Sequence, residues 1–294
     1  MNILHISDIH FGPRHWEGNN KVLLEKLNSY GADIVFNTGD NTTDGLESEF
    51  QEVGGFLESL ECKHVISLIG NHDKRNMRGS EFFKKYIYDP EIIYPLDTDQ
   101  CVKENVFLDR SITKLSDNFT DINFIETISV NGDSVLVVSI DTSQLYSDYG
   151  YVDVEILRTV SAALKQLTYE KAVLLVHYSI LGTDAHPLHN PLRLIDFVRE
   201  HNIEHVFCGH THELEIRRST DLYYGHTFTQ YMCGSLSSCN NTNDSNMFLY
   251  YENFGDENML IRLVRIHLEG DQLTFEDEIV SGMAKKNQKE MGSA

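Results

Sequence analysis

The stretch Ile3-Leu4-His5-Ile6-Ser7-Asp8-Ile9-His10 is an aliphatic run of strand length that breaks into a carboxylate and an imidazole two residues apart. Runs this short and this rich in isoleucine read as strands rather than helices. The same grammar recurs down the chain. Ile34–Asn37 leads into Gly39-Asp40, and Val65–Ile69 into Gly70-Asn71-His72-Asp73. Val173–His177 ends on its own histidine, and Val206–Cys208 leads into Gly209-His210-Thr211-His212. Val135–Ile140 is a further strand candidate without a motif. Between the runs, Lys21–Tyr30, Leu46–Leu60, Val154–Leu167 and Pro191–His201 place apolar residues three and four apart, as amphipathic helices do. Strands alternating with helices make an α/β layered fold, and polar motifs at the carboxyl ends of strands lie where such sheets hold ligands.

Outward from this frame the texture changes. After residue 212, Leu222–Phe228, Met247–Tyr251 and Leu260–Leu268 read as antiparallel strands that cover or extend a sheet. Residues 79–130, rich in aromatics and acids and weak in periodicity, read as an insertion or cap over the motif face. The expected organisation is one domain over residues 1–280 and a flexible tail over 281–294.

Composition sets limits on partners. The chain has 294 residues, with 45 Asp+Glu against 24 Lys+Arg and a net charge of −21, so its overall field repels a long nucleic acid. The start MNILHISDIH has no basic leader, and no stretch approaches the roughly 18 apolar residues of a membrane span. The cysteines Cys62, Cys101, Cys208, Cys233 and Cys239 form no C-x-x-C pair. A reducing, cytoplasmic location without membrane attachment is therefore expected.

The motifs supply carboxylate oxygen, amide oxygen and imidazole nitrogen, and no thiolate. That donor mixture suits Mn, Fe or Zn, and carries too much nitrogen for a Ca or a Mg-only site. Asp8 and His10, two apart at a strand end, are expected to point to one side and grip one cation. Glycines ahead of Asp40, Asn71 and His210 permit the turns that bring several loops to one point. A pair of metals about 3.5–4 Å apart needs a bridging carboxylate, and Asp40 is the natural choice.

A lone D-x-H or G-D is common in unrelated chains; the ordered series D-x-H, G-D, G-N-H-D, H, G-H-x-H is not. It resembles the calcineurin-like metallophosphoesterase superfamily over residues 4–213. The resemblance implies a four-layer αββα sandwich with mixed sheets, and two divalent or mixed-valence metal ions. Asp8, His10, Asp40 and His212 would hold one, and Asp40, Asn71, His177 and His210 the other. A hydroxide bridging the metals would attack phosphorus, His72 would serve the leaving oxygen, and Asp73 would orient that imidazole.

Departures narrow the substrate. Protein serine/threonine phosphatases of the superfamily carry an arginine soon after G-D and a G-N-H-E motif; here the loop is Gly39-Asp40-Asn41-Thr42-Thr43-Asp44. The extended Gly70-Asn71-His72-Asp73-Lys74-Arg75 is similar to the bacterial cyclic-nucleotide phosphodiesterase branch, although Tyr178-Ser179-Ile180 after His177 departs from that branch's usual histidines and prolines. The expected activity is hydrolysis of a cyclic nucleotide or related small phosphodiester, the alternatives being a nuclease, a phosphomonoesterase or a non-catalytic scaffold. Arg75 either packs the metal loop or reaches a phosphate, and His186 and His189 are candidate substrate contacts. Phe82, Phe83, Tyr86, Tyr88 and Tyr94 read as core more readily than as a base-stacking surface. Dimers are common in the resembling branch, which makes a homodimer a further expectation.

Overall fold

Three strand–helix units start the chain: β1 (Ile3–Ile6), α1 (Asn20–Asn28), β2 (Ile34–Asn37), α2 (Glu47–Glu58), β3 (His64–Ser67) and α3 (Gly79–Tyr86). The computed structural model describes residues 1–16, 18–95, 122–183, 186–239, 246–269 and 272–281. Next come β4 (Phe124–Val130), β5 (Asp133–Ser139), β6 (Gly150–Tyr151), α4 (Val154–Leu164), β7 (Ala172–Leu175), β8 (Leu188–His189), α5 (Leu192–Glu200) and β9 (His205–Cys208). The last third is strand only: β10 (Glu215–Asp221), β11 (His226–Met232), β12 (Met247–Glu252), β13 (Leu260–Glu269) and β14 (Gln272–Ser281).

Two six-stranded mixed sheets result, ordered β14-β13-β12-β1-β2-β3 and β10-β11-β9-β7-β5-β4. β1, β2 and β3 are parallel in the first, and β5, β7, β9 and β11 in the second. Period-two alternation sends each strand's apolar residues to two different layers. Ile3, Phe36, Ile66 and Leu263 face Val137, Val173, Leu175 and Phe207 in a core between the sheets. Leu4, Val35 and Val264 pack outward against Leu23 and Leu27 of α1 and Val53 and Leu57 of α2. On the far side Val138, Leu174 and Val206 pack against Ile156 and Val160 of α4 and Leu194 and Val198 of α5. The order helix, sheet, sheet, helix is the four-layer sandwich. Each large aliphatic or aromatic side chain fully buried in it contributes roughly 1.5–3 kcal/mol.

Local signals start the helices where the structure shows them. Asp153 caps α4 by accepting the amides of Glu155 at 2.8 Å and Ile156 at 3.3 Å. Glu49 reaches back from the first turn of α2 to accept the amides of Asp44 and Leu46, both at 3.0 Å.

Several expectations are corrected. Both ends of the 79–130 segment belong to the sandwich: α3 buries Phe82 and Phe83, and β4 pairs antiparallel with β5. Residues 96–121, the remainder of the expected cap, lie outside the described residues. The strand expected at Leu222–Phe228 is instead the hairpin turn between β10 and β11, with Leu222 and Tyr223 exposed, followed by the first residues of β11. Its apolar letters sit at a tip where they have no sheet to pack on. β10 and β12–β14 follow the antiparallel expectation, and β11 follows it on its β10 side but pairs parallel with β9 on the other. The expected tail starts on the last residue of β14, and residues 282–294 lie outside the described residues. Among the described residues no helix is long and apolar enough to cross a membrane.

Candidate metal centre

The five motifs hang from the carboxyl ends of β1, β2, β3, β7 and β9, so residues from both sheets meet at one edge of the sandwich. β1 ends at Ile6, and Asp8 and His10 follow with φ of 52° and 54°. They reach a common point because the chain turns left-handed there, rather than by strand alternation as expected. Asp40, His210 and His212 share that backbone, with φ of 51°, 78° and 61°. Gly39 takes φ of 100°, and at Gly209 a Cβ would stand 1.9 Å from Ser7 Oγ. That close approach lets the β9 loop lie against the β1 loop.

Asp40 stands between two clusters of donor atoms. In the first, Asp8, His10 and His212 each turn one ligand atom inward, and in the second Asp40, His177 and His210 do so. His10 Nε2 and His212 Nε2 are 2.9 Å apart, and Asp8 Oδ1 is 3.3 Å from His212 Nε2. Asp8 Oδ2 accepts Ser7 Oγ at 2.5 Å and the His210 amide at 3.0 Å, leaving Oδ1 buried with no hydrogen bond. In the second, Asn71 Oδ1 lies 3.0 Å from both His177 Nε2 and His210 Nδ1. Asp40 turns Oδ1 toward His177 Nε2 at 3.4 Å and Oδ2 toward His10 Nε2 at 3.9 Å.

Backbone carbonyls set the tautomers. His177 Nδ1 donates to Thr38 O at 2.8 Å and His210 Nε2 to His186 O at 3.0 Å, so their other nitrogens face inward, where each can take a cation or a proton. Lone pairs aimed at one another about 3 Å apart are repulsive unless a cation or proton lies between them. A metal with nitrogen ligands at 2.0–2.1 Å and near-tetrahedral angles leaves them about 3–3.4 Å apart, and the donor set fits that requirement.

The electrostatics agree. Burial lowers His10 to about 3, and burial together with His177 lowers His210 to about 4, so both are neutral donors at physiological pH. Burial alone would strip His177 of its proton, yet Asp40 and Asp8 raise it to about 9. Burial would push Asp40 up, but His177, His72 and His10 hold it well below the usual carboxylate range. The space between these groups favours positive charge.

His72 joins His10 and Asp40 in a third donor group, with its ring 4.6 Å from that of His10. Its Nδ1 donates to Thr43 O at 2.6 Å, which leaves Nε2 facing the cleft. Asp73 does not orient it. That carboxylate is buried and accepts Asn41 Nδ2, Thr42 Oγ1 and the amides of Asn41, Thr42 and Gly70, tying the β2 loop to the β3 loop. Burial and Asp40 raise it to about 6. It acts on His72 only at one remove, by fixing the loop that carries Thr43.

The centre opens into a cleft of about 740 Å³. Arg75 and His186 are among its walls; His189 is not, its ring being stacked on Tyr149 at 5.4 Å. Two wall residues carried no motif. Asp148 accepts Asn71 Nδ2 at 3.2 Å and so fixes which way that amide points. Arg14, four residues beyond His10, brings Nη1 to 3.2 Å from His72 Nε2.

The family profile for calcineurin-like phosphoesterases matches residues 1–214, a span that takes in all five motifs and ends two residues after His212. The chain belongs to the calcineurin-like phosphoesterase family. Membership makes it a phosphoester hydrolase fold built around divalent metal ions. A probable cyclic nucleotide phosphodiesterase of Coxiella burnetii is 27% identical over 119 residues, 38% of this chain. The match spans 48%, about half, of that relative's length. Yellow lupin purple acid phosphatase PPD1 superposes with a TM-score of 0.55 at 12% identity, over 90% of this chain and 51% of that one. GAP50, the anchor in the inner membrane complex of Plasmodium, gives 0.54 at 12% identity, over 96% of this chain and 89% of that one. One neighbour is named as a phosphatase and the other as an anchor, so the shared fold leaves the reaction to be argued from the site.

Proposed function

We propose that the protein is a two-metal phosphodiesterase that hydrolyses a cyclic nucleotide or a related small phosphodiester. The observation that carries this reading is Asp40, whose two carboxylate oxygens face two separate donor clusters. Asp8, His10, Asp40 and His212 would hold one cation, and Asp40, Asn71, His177 and His210 the other. Mn, Fe or Zn at such a centre supplies Lewis-acid charge to a phosphoryl group and a nucleophile at neutral pH. His72 keeps its Nδ1 proton on Thr43, so any proton exchanged with the leaving oxygen passes through Nε2. The likeness to the Coxiella protein supports a nucleotide diester, and a cleft of about 740 Å³ is of the size that encloses small ligands. Cys62, Cys208 and Cys233 are free thiols, which suits a reducing cytoplasm.

With Mn, the protein is expected to hydrolyse bis(p-nitrophenyl) phosphate, and Asp40→Asn or His72→Asn to lower kcat at least about 100-fold. Unchanged turnover in both variants would falsify the assignment. Cyclic nucleotides, single-stranded DNA and a phosphomonoester assayed side by side separate the diesterase from a nuclease or a phosphomonoesterase. A wild-type protein that takes up no Mn by elemental analysis is a scaffold.

A further inference from the structure

Three guanidinium groups line the cleft, and their surroundings differ. Arg75 has its charge answered by the protein: Nη2 lies 3.3 Å from Asp148 Oδ1, and Nη1 lies 3.7 Å from Asp44 Oδ1 and 3.4 Å from Thr43 O. Arg217 is likewise paired, with Nη2 2.7 Å from Glu215 Oε2. Arg14 has no carboxylate within ion-pair distance among the described residues, and its guanidinium meets the His72 ring instead. Since His72 Nδ1 donates to Thr43 O, the Nε2 that Arg14 approaches is the acceptor. The contact is thus a charged donor on a neutral ring nitrogen, beside the centre and open to the cleft.

The backbone beneath Arg14 is held on both sides. Its amide donates to Thr43 Oγ1 at 3.3 Å, and its carbonyl accepts the Cys239 amide at 2.7 Å. The chain is pinned on either side of it as well, by Phe11 pairing with Thr42 before it and His15 with Ser238 after it. A long cationic side chain rooted in a fixed loop, in a protein with 45 acidic residues, meets no carboxylate among the described residues where it lines the cleft beside the centre. A guanidinium presents a planar fork of donors that matches two oxygens of a phosphate group.

We propose that Arg14 is the residue that binds the non-bridging phosphate oxygens of the substrate, while Arg75 and Arg217 are structural. The proposal rests on the phosphodiesterase reading for its substrate, but a phosphate-binding residue can be detected whether or not a diester is turned over. The Mn-loaded protein is titrated with inorganic phosphate by calorimetry, alongside steady-state hydrolysis of bis(p-nitrophenyl) phosphate and elemental analysis for Mn. Arg14→Gln is expected to weaken phosphate binding at least about tenfold, as loss of a charge-assisted bidentate contact does. It should lower kcat/KM by a similar factor or more, with Mn content unchanged. Arg14→Lys, which keeps the charge and loses the fork, should fall between the two.

A second comparison separates direct contact from action through the neighbouring imidazole. Placed in a His72→Asn background, Arg14→Gln should still weaken phosphate binding about tenfold if the guanidinium itself touches phosphate. No further loss in that background overturns the proposal. So does phosphate affinity within twofold of wild type in Arg14→Gln, and so does loss of Mn in both Arg14→Gln and Arg14→Lys, which would make the residue part of the metal scaffold. Wild-type protein that binds phosphate through Arg14 yet cleaves no diester removes the phosphodiesterase reading and leaves this one standing.

Discussion

At Asp8, His10, Asp40, His210 and His212 the backbone sits in the left-handed region, where a side chain with a Cβ costs about 1–3 kcal/mol at a functional site. The strain lets the chain turn inward within two or three residues of a strand end, which extended backbone cannot do. His212 is partly exposed, so its variants can be compared without opening a hole in the core. In chelator, His212→Gly should be more stable to urea than His212→Ala by about 1 kcal/mol, reversing the order of those residues at ordinary positions. Equal stability, or alanine ahead, would mean the φ of 61° is not under strain. This turn is also where reading by letters reached its limit. The D-x-H spacing suggested that both side chains reach one point, and they do share a donor cluster, but for a different backbone reason. Adjacency likewise suggested that Asp73 serves His72, whereas two neighbouring residues in a tight turn point apart and Thr43, 29 residues earlier, does the orienting.

Among the elements, the turn after β3 and the loop after β5 are tied by a buried ion pair, Lys74 with Asp141, at 1% and 0% exposure. Lys74 Nζ also donates to Ser143 O at 2.7 Å, and Asp141 accepts the amides of Ser143 and Ile122. The tie delivers Asp148 to Asn71, so an element outside every motif decides how one candidate ligand points. Lys74→Met leaves the Asp141 carboxylate buried without its counter-ion and should destabilise the fold by about 3–5 kcal/mol in chemical denaturation. Pairing it with Asp141→Leu should recover most of the loss; a single variant as stable as wild type would contradict the assignment. The strands that carry motifs were legible because they are buried on both faces and spell continuous apolar runs. β10 and β14 were not, since they lie at sheet edges and spell Glu-Ile-Arg-Arg-Ser-Thr-Asp and Gln-Leu-Thr-Phe-Glu-Asp-Glu-Ile-Val-Ser. Arg14 and Asp148 left no signal because their partners lie 58 and 77 residues away along the chain.

For the whole molecule, a charge of −21 surrounds a cleft whose walls include Arg14. An oligonucleotide should therefore inhibit hydrolysis of a small diester no more strongly than a dinucleotide does, with little dependence on salt, because phosphates beyond the cleft meet acidic surface. Inhibition that strengthens with length and collapses as salt is raised would show a basic track that the charge balance does not provide. The candidate ligands also divide between the sheets, Asp8 to Asn71 from the first and His177 to His212 from the second. That division has a kinetic meaning. Closing a loop of at least 106 residues, and of 202 for His10 with His212, precedes contact between the two sets, so the centre is a product of folding and not its nucleus. During synthesis the first half can order its own strands, but a cation has its full set of partners only once β9 has left the ribosome and docked. Ion binding would then reward the finished sandwich alone, slowing its opening far more than it speeds its formation.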